Sequence, residues 1–264
     1  MKTALITGAA GGMGLAAAER LLQGGWAVWG LDIRAPEPLP EGLRFVQCDL
    51  TRDASVQAAF LRLQEESVRL DAVLHMAGLY DLDSLVEISQ DDWDRIFQVN
   101  LYGPYRVNKT FLPLLTPGAR LLITTSELAP LNPLPFTGIY AVTKAALDRY
   151  AASLRMELQL LDISVIVLRP GAVDTRLLDV STDRLEAFCA KTTHYAPNAE
   201  RFRRIVRGVE ARKIPPRQIA ALAEKALLAR HPRDVYAINR NPLLLALNVL
   251  PQSMQRRIIR HILK

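Results

Sequence analysis

The chain has 264 residues, a formal net charge of +6 and hydrophobic residues at half of its positions. This length suits one large α/β domain or two small ones, and the hydrophobic share is enough for a sizeable core. The cysteines, Cys48 and Cys189, are far apart and lack metal-ligand spacing, so we expect no metal site, no disulfide framework and a reducing, cytoplasmic location. Apolar runs fall short of the ~20 residues that span a bilayer, and the apolar strand close behind Met1 leads us to expect no signal peptide.

Apolar segments alternate with amphipathic ones along the chain. We predict strands at 4–7, 26–31, 43–48, 72–75, 120–125 and 164–168, and helices at 15–22, 55–66, within 91–115, from 140 and at 219–230. Strands that are apolar throughout predict a parallel sheet covered by helices on both faces, an α/β Rossmann-like doubly wound fold. No linker marks a second domain, so we expect one domain at 1–264, with a core at 1–176 and a lid and helical tail at 177–264.

A glycine loop joins the first strand to the first helix. It comprises Thr7, Gly8, Gly12, Met13 and Gly14. Glycines let the backbone approach a pyrophosphate, and the amino end of the following helix supplies N–H groups and a positive dipole. The position of the loop between a strand and a helix favours dinucleotide binding over an ordinary tight turn.

The next two strands each end near a carboxylate. Asp32 can accept hydrogen bonds from both hydroxyls of an adenosine ribose and would repel a 2′-phosphate, which favours NAD over NADP. Arg34 argues the other way, because an arginine nearby can accommodate that phosphate. Asp49 is expected to face the adenine amino group, although it could simply cap the surface. Ile33 and Leu50, which follow the two carboxylates, complete the predicted adenosine contacts.

The segment from Tyr140 to Lys144 carries the predicted acid/base chemistry. Residues four apart on a helix lie on one face. A free tyrosine has a pKa near ~10, and a neighbouring cation lowers it towards the working range. The pair can therefore move a proton on and off an alcohol oxygen, although such pairs also occur by chance.

In these motifs the chain resembles the short-chain dehydrogenase/reductase family, in its short single-domain branch, over residues 1 to about 176. The motifs, in order, are Thr7–Gly14, Asp49, Ala77–Gly78, Asn100, Ser126, Tyr140 with Lys144, and Arg169–Thr175. The resemblance implies hydride transfer between a nicotinamide and a carbinol carbon, so that the chain would be an NAD(P)-dependent oxidoreductase acting on CH–OH groups.

The resemblance also implies roles for single residues. Tyr140 would be the general acid/base, and Lys144 would lower its pKa and hold the nicotinamide ribose. Ser126 would hydrogen-bond the substrate oxygen, and Asn100 would kink its helix and anchor a proton-relay water. Further cofactor contacts are implied at Ala77, Gly78, Pro170, Gly171, Val173 and Thr175.

The chain departs from the family pattern twice. The usual Asn-Asn-Ala-Gly reads His75-Met76-Ala77-Gly78, and we interpret His75 as a satisfied buried histidine, not a catalyst. Ser126 lies fourteen residues before Tyr140, one more than usual, which leaves Thr125 as the fallback hydroxyl.

Residues after Thr175 are expected to set substrate specificity. Leu177–Ala187 is predicted to fold over the active site as a lid. Apolar residues at 202, 205, 206 and 209 predict a helix whose basic faces are solvated or face an anion or membrane. The tail is apolar at Leu243–Leu250 and basic from Arg256 onward. It resembles family members that act on steroids and retinoids, which implies a hydrophobic alcohol or ketone as the substrate.

Several alternatives stay open from the sequence alone. The tail could cap the substrate pocket or cover a neighbouring subunit, and peripheral membrane contact ranks below both. The resemblance implies a homodimer or homotetramer that pairs through Asn100–Leu115 and Tyr140–Leu158. We expect no nucleic-acid partner. Alternative functions are a catalytically silent NAD-binding regulatory or scaffold protein and a dehydrogenase of small polar hydroxy compounds.

Overall fold

Seven parallel strands form one sheet in the order β3-β2-β1-β4-β5-β6-β7. The computed structural model describes the backbone of residues 1–264 and all side chains except those of 176–182 and 209–210. The strands are β1 Thr3–Thr7, β2 Ala27–Asp32, β3 Leu43–Gln47, β4 Leu70–His75, β5 Leu115–Thr124, β6 Ser164–Pro170 and β7 Val235–Ile238. The α-helices are α1 Gly12–Gln23, α2 Asp53–Glu65, α3 Gln90–Phe97, α4 Gly103–Phe111, α5 Gly138–Leu158, α6 Arg176–Lys191, α7 Ala196–Glu210, α8 Pro216–Leu228, α9 Pro242–Val249 and α10 Gln252–Leu263.

The strand order reverses at β1, which pairs with β2 on one side and β4 on the other. At the carboxyl end of β1, Thr7 lies opposite Leu31 and His75. A crevice opens where neighbouring strands connect to opposite sides of a parallel sheet, and ligands bind there. The topology therefore brings the glycine loop, the end of β2 and the end of β4 to one edge.

Both faces of the sheet are buried under helices. Leu5 belongs to the core shared with α2, α4 and α5, whereas its neighbours Ala4 and Ile6 belong to the core shared with α1 and α8. Successive strand residues point to opposite faces, so an all-apolar strand fits only between two layers. The predicted three-layer, doubly wound α/β fold is confirmed.

A third apolar cluster lies above the crevice, away from the sheet. It joins helix α6 (Leu185, Phe188), helix α7 (Phe202, Val206) and the last helix (Leu263). The predicted helix around 202–209 is present as α7, but Val209 lies outside the described side chains. So does the first part of the predicted lid, residues 177–182.

The structure differs from the sequence expectations mainly at element ends. Strand β7 was not predicted, because it is short and only partly buried. Strand β5 begins at Leu115, before the expected 120, and its pairing with β4 shifts register early on. Helix α5 begins at Gly138, two residues before Tyr140. In the described residues, no helix is both long and apolar enough to span a membrane.

Candidate active site

The glycine loop turns tightly at the carboxyl end of β1. Gly8 has φ +72°, and a Cβ there would lie 2.7 Å from the backbone nitrogen of Ala77. A Cβ on Gly14 would lie 2.0 Å from the carbonyl oxygen of Gly8. Larger side chains at either position would push the loop away from its neighbours. The amino end of α1, which starts at Gly12, is thereby held open towards the crevice.

Two carboxylates lie at the outer end of the crevice. Asp32 Oδ2 accepts a hydrogen bond from the Ala10 N–H at 3.0 Å, and Oδ1 accepts one from the Ile33 N–H at 2.7 Å. Asp49 Oδ1 accepts from both the N–H and the hydroxyl of Thr51, at 2.9 and 2.7 Å. Asp32 and Asp49 line one cavity, which also contains Ile33 and Leu50. Arg34 is exposed and is not among the residues that line it.

Asn100 lies in a π-helical turn at 98–102, between α3 and α4. Its side chain is fully buried. The amide donates to Leu79 O at 2.9 Å and to the Thr143 hydroxyl at 3.0 Å, and its oxygen accepts from Leu79 N at 2.7 Å. A π turn widens the helix locally and often occurs at functional sites. Asn100 thereby connects the segment after β4 to helix α5.

Ser126, Tyr140 and Lys144 meet where β5 ends beside α5. The Ser126 hydroxyl is close enough to the Tyr140 phenol to lower its pKa by hydrogen bonding. Lys144 is buried, donates to Thr124 O at 3.1 Å and lies 5.9 Å from the Tyr140 ring centroid. The Thr125 hydroxyl, the fallback, donates instead to Asp148 at 3.2 Å. The extra residue before Tyr140 therefore leaves Ser126, not Thr125, at the phenol.

An ion pair ties helix α5 to the sheet. Arg169, on β6, donates to both carboxylate oxygens of Asp148, on α5, at 2.9 and 2.7 Å. A bidentate pair fixes orientation as well as distance. Asp148 also accepts the Thr125 hydroxyl, so that α5, β5 and β6 are fixed relative to one another beside the site.

Burial dominates the ionisation of Tyr140 and Lys144. It raises the pKa of Tyr140 to about 12, opposed by the Ser126 hydrogen bond and reinforced by the negative charge of Glu127. Burial also lowers the pKa of Lys144 to about 8. We expected Lys144 to lower the Tyr140 pKa, but no hydrogen bond joins these two side chains in the described structure. With the ammonium directed at Thr124 O, the phenol is protonated near neutral pH.

The segment after β6 reaches back to the glycine loop. A Cβ on Gly12 would lie 2.8 Å from the Thr175 methyl group. Gly171 N donates to Ile238 O at 2.9 Å, which attaches the segment to β7. Pro170, Gly171, Val173 and Thr175 line the second, largely apolar cavity together with Tyr140.

His75 is buried, and only one of its two ring nitrogens has a hydrogen-bond partner in the described structure. Its Nε2 lies 2.7 Å from Asn108 Oδ1, whereas Nδ1 has no partner in the described structure. Burial lowers the pKa of His75 to about 4. The expectation of a satisfied histidine is thus wrong for one nitrogen: the hydrogen-bonded pair sits inside the apolar layer, where Nδ1 meets no donor or acceptor.

Side-chain contacts fasten the helices over the crevice to α3 and to the segment between β4 and α3. Arg184 donates to Asp92 at 3.2 Å, and Lys191 pairs with Asp83. Glu87 accepts hydrogen bonds from the segment Thr192–His194 at 2.6 to 3.2 Å. These carboxylates gave no sequence signal, because nothing in their spacing links them to residues 100 positions away.

Some of the basic side chains of α7 also form ion pairs. Arg203 is held by Glu186 and Glu200, each at 2.6 Å, and Arg207 contacts Glu186 at 2.8 Å. Arg203 and Arg207 therefore join α7 to α6 through Glu186.

Sequence reasoning missed several residues that line the apolar cavity. Tyr80 packs edge-on against Tyr140, with ring centroids 4.5 Å apart. Leu244, from α9, lines the same cavity, which brings the tail to the site. Glu127 lines it as well, and its place directly after Ser126 was the available signal. In the part of the chain described, no three acidic, histidine or cysteine side chains group as a metal site.

The two cavities adjoin and together suit a dinucleotide. Six residues line both of them, namely Met13, Met76, Gly78, Leu79, Tyr80 and Thr175. One cavity passes the glycine loop and ends at Asp32, and the other contains Ser126 and Tyr140. A glycine cradle at a helix amino end and a carboxylate beyond it match a pyrophosphate and a ribose. Fold and site together define a dinucleotide-binding α/β protein of the Rossmann type.

Comparison with known proteins narrows this class. The family model of the short chain dehydrogenases matches residues 2–186. A Rhodococcus 1-hydroxy-2-glutathionyl-2-methyl-3-butene dehydrogenase is 36% identical over 49% of this chain and 58% of its own length. Mouse estradiol 17-beta-dehydrogenase 2 is 31% identical over 67% of this chain and 49% of its own.

A solved structure agrees with the sequence comparisons. An alcohol dehydrogenase from Thermococcus sibiricus, complexed with 5-hydroxy-NADP, superposes with TM-score 0.71 at 25% identity. The match covers 90% of this chain and 96% of that one. The chain belongs to the short chain dehydrogenase family, whose members are NAD(P)-dependent oxidoreductases.

Proposed function

We propose that the protein interconverts an alcohol and a ketone or aldehyde, with Tyr140 as the acid/base. The observation that carries the proposal is that Ser126, Tyr140 and Lys144 line one cavity, close to where it adjoins the other. The Ser126 hydroxyl is close enough to the Tyr140 phenol to lower its pKa. A substrate oxygen bound there is within reach of both hydroxyl groups. A silent regulatory protein would not need this arrangement.

Each residue has a distinct task in the proposed reaction. A bound nicotinamide supplies or accepts the hydride. Ser126 donates a hydrogen bond to the substrate oxygen, and Tyr140 exchanges a proton with it. The protonated phenol suits proton donation to a carbonyl, whereas oxidation needs the phenolate. Lys144 stabilises that phenolate by its charge, and Asn100 anchors the relay through which the proton reaches water.

The cofactor proposal is NAD in preference to NADP. Asp32 presents its carboxylate beside the glycine loop, where it would accept from ribose hydroxyls and repel a phosphate. Two observations favour NADP instead: Arg34 is exposed, and the Thermococcus complex contains an NADP derivative. Thr7, Gly8, Gly12, Met13, Gly14, Asp49, Ala77 and Gly78 would contact the nucleotide, and Pro170, Gly171, Val173 and Thr175 the carboxamide.

The proposed substrate is hydrophobic. The cavity beside Tyr140 is lined mainly by apolar side chains from the sheet edge, α7 and α9, among them Leu134, Phe202 and Leu244. Burial of apolar surface would drive binding of a steroid-, retinoid- or lipid-like molecule. The name of the mouse relative supports this class, and that of the Rhodococcus relative shows that the family also handles polar conjugates.

Assembly and location complete the proposal. A cytoplasmic homodimer or homotetramer would pair through the α4 and α5 faces, where Tyr105, Val142 and Met156 are exposed. Because Leu244 lines the substrate cavity, we place the tail as a pocket cap first. The exposed arginines of α10 leave peripheral membrane contact as a further role.

The test is absorbance of the reduced nicotinamide during turnover, with NAD and NADP in parallel, on steroid, retinoid, sugar and simple alcohols. Tyr140→Phe should lower turnover at least about 100-fold, because the proton acceptor is lost. Its cofactor affinity should stay within about twofold of the wild-type value. Oxidation by the wild type should accelerate with rising pH, since burial holds the phenol protonated.

A control variant and the turnover measured on the substrate panel separate this proposal from its alternatives. Tyr105→Phe removes an exposed phenol on α4 and should change neither turnover nor cofactor binding. Undiminished turnover in Tyr140→Phe would disprove the mechanism. Cofactor binding without turnover on the whole panel would favour the regulatory protein, and efficient turnover of sugars alone would favour the small polar substrates.

A further inference from the structure

Glu127 is a buried carboxylate in the apolar cavity, and the proposed chemistry does not use it. It directly follows Ser126 and is 6% exposed. Among the described residues that line this cavity, it is the one acidic side chain. Burying a charge costs much free energy unless hydrogen bonds compensate it. Its presence in this cavity therefore calls for a physical explanation.

The structure holds Glu127 in a fixed position. Its N–H donates to Pro170 O at 2.9 Å, which ties it to the end of β6. Oε2 accepts from the Asn241 N–H at 2.6 Å, at the start of α9. A Cβ on Gly171 would come within 3.0 Å of Oε1, so the glycine makes room for the carboxylate. Backbone groups from two directions thus orient the side chain.

The second carboxylate oxygen remains available. In the described structure, Oε1 has no hydrogen-bond partner, and this atom is not completely buried. Since the residue lines the cavity, that oxygen is accessible from it. A fixed acceptor with one free oxygen beside Ser126 is suited to a donor on whatever occupies the cavity.

We propose that Glu127 is a substrate-binding residue that accepts a hydrogen bond from a second polar group next to the reacting carbinol. The ligand class is an otherwise hydrophobic alcohol that carries a neighbouring hydroxyl or protonated amino group. This deepens the proposed function, on which it rests, because it adds a donor to a substrate class so far described only as apolar. A substrate lacking the donor leaves Oε1 without a hydrogen-bond partner.

The charge of Glu127 also acts on the catalytic group. It raises the pKa of the Tyr140 phenol, which shows that the two side chains lie close enough to interact. A donor bound at Glu127 is therefore near the reacting oxygen.

Three probes with one skeleton test this proposal: 1-phenylethanol, 1-phenyl-1,2-ethanediol and 2-amino-1-phenylethanol. Calorimetric titration into the NADH-loaded protein measures affinity without turnover, because NADH cannot oxidise an alcohol. The wild type should bind the diol and the amino alcohol at least about tenfold more tightly than the monoalcohol, as for hydrogen bonds to a charged group. The size of each preference tells whether a neutral or a charged donor fits better.

Glu127→Gln is the informative variant, since its amide oxygen can still accept from Asn241 N. The amide NH₂ then faces the cavity and cannot accept, so the preference for the protonated amino alcohol should disappear, whereas the diol hydroxyl can turn and accept from it. The fold and the NADH affinity should remain. Glu65→Gln, on the exposed face of α2, should keep the full preference. Glu127→Leu, if it folds, should favour the monoalcohol.

Three results would overturn the proposal. They are equal or undetectable affinity of the wild type for all three probes, a preference for the amino alcohol over the monoalcohol that persists in Glu127→Gln, and weaker NADH binding in that variant. The last would assign the acceptor to the cofactor carboxamide. None of these depends on turnover, so a failure here is distinct from a failure of Tyr140 as the acid/base.

Discussion

The crevice has a floor and a cover, and they are held in different ways. The floor is the sheet edge with its glycine loop, where backbone groups pair: Gly8 N donates to Leu31 O at 2.9 Å, and Cys48 N donates to Asp32 O at 2.8 Å. The cover consists of α6, α7 and the tail, and charged side chains attach it to α3 and to the segment before α3. Arg184 with Asp92, at 3.2 Å, is one such pair.

This difference teaches how the two halves should respond to perturbation. Hydrogen bonds between buried strands are insensitive to ionic strength, whereas partly exposed ion pairs are screened by salt and are individually weak. The floor should therefore respond to substitutions that change its shape and to protonation of its buried side chains. The cover should respond to salt. A substrate-binding half that loosens while the cofactor-binding half stays intact would allow exchange of ligands without unfolding.

The largest effect should follow a change of shape in the floor. Gly14→Ala places a methyl group 2.0 Å from Gly8 O, a backbone atom that cannot move without distorting the loop. We expect a loss of about 3 kcal/mol in the free energy of unfolding, at the upper end of overpacking costs. Urea denaturation followed by circular dichroism measures it.

The matched control is Gly11→Ala, three residues earlier in the same loop. A Cβ on Gly11 meets nothing within 4 Å, and its φ of −155° is open to any residue. Its stability should stay close to that of the wild type. Equal losses in the two variants would mean that the loop is not shaped by close contact at Gly14.

The next prediction concerns His75, a buried histidine in the floor, and the pH dependence of the free energy of unfolding. The pKa of His75 is about 4 when folded and 6.5 ordinarily, because burial disfavours the charged ring. Between these values the unfolded chain binds the proton more readily, so stability falls as the pH drops through this window. The loss from His75 alone should reach about 3 kcal/mol near pH ~4.

The pH dependence of unfolding in His75→Asn measures this contribution. The variant should lose less stability than the wild type between pH 7 and about 4, and the exposed His231→Asn should behave like the wild type. Parallel pH profiles for the wild type and His75→Asn would show that the ring is not held neutral in the folded protein.

The smallest effect should come from loosening the cover. Arg184→Gln removes the contact with Asp92, and about 0.5 M sodium chloride should weaken it in the wild type. Either change should speed amide exchange in residues 183–191 about two- to fivefold and leave β1 unchanged, since a partly exposed pair contributes about 0.2–1 kcal/mol.

Arg62→Gln is the control, because it breaks an exposed pair with Glu66, at 2.8 Å, on α2, far from the cover. It should leave exchange in 183–191 as it is. Equal acceleration in β1 and in 183–191 would contradict the division into a floor and a cover.

The sequence by itself determined the floor. Apolar strands between helices fixed the parallel sheet, because a strand without a polar face must be covered on both sides. The loop glycines and Asp32 follow their strands directly in the chain, and Tyr140 and Lys144 share one helix face, so local spacing was sufficient to propose them. Helix and strand ends were less certain, since burial by distant residues extends an element beyond its local pattern.

Only the tertiary structure decided the cover and the ionisation of the site. Arg184 and Asp92 are 92 positions apart, and no periodicity connects such pairs. The path of the loop between β5 and α5 decides which hydroxyl lies near Tyr140, and this is Ser126 and not Thr125. The high pKa of Tyr140 and the open oxygen of Glu127 follow from burial among several elements, which a linear sequence does not express.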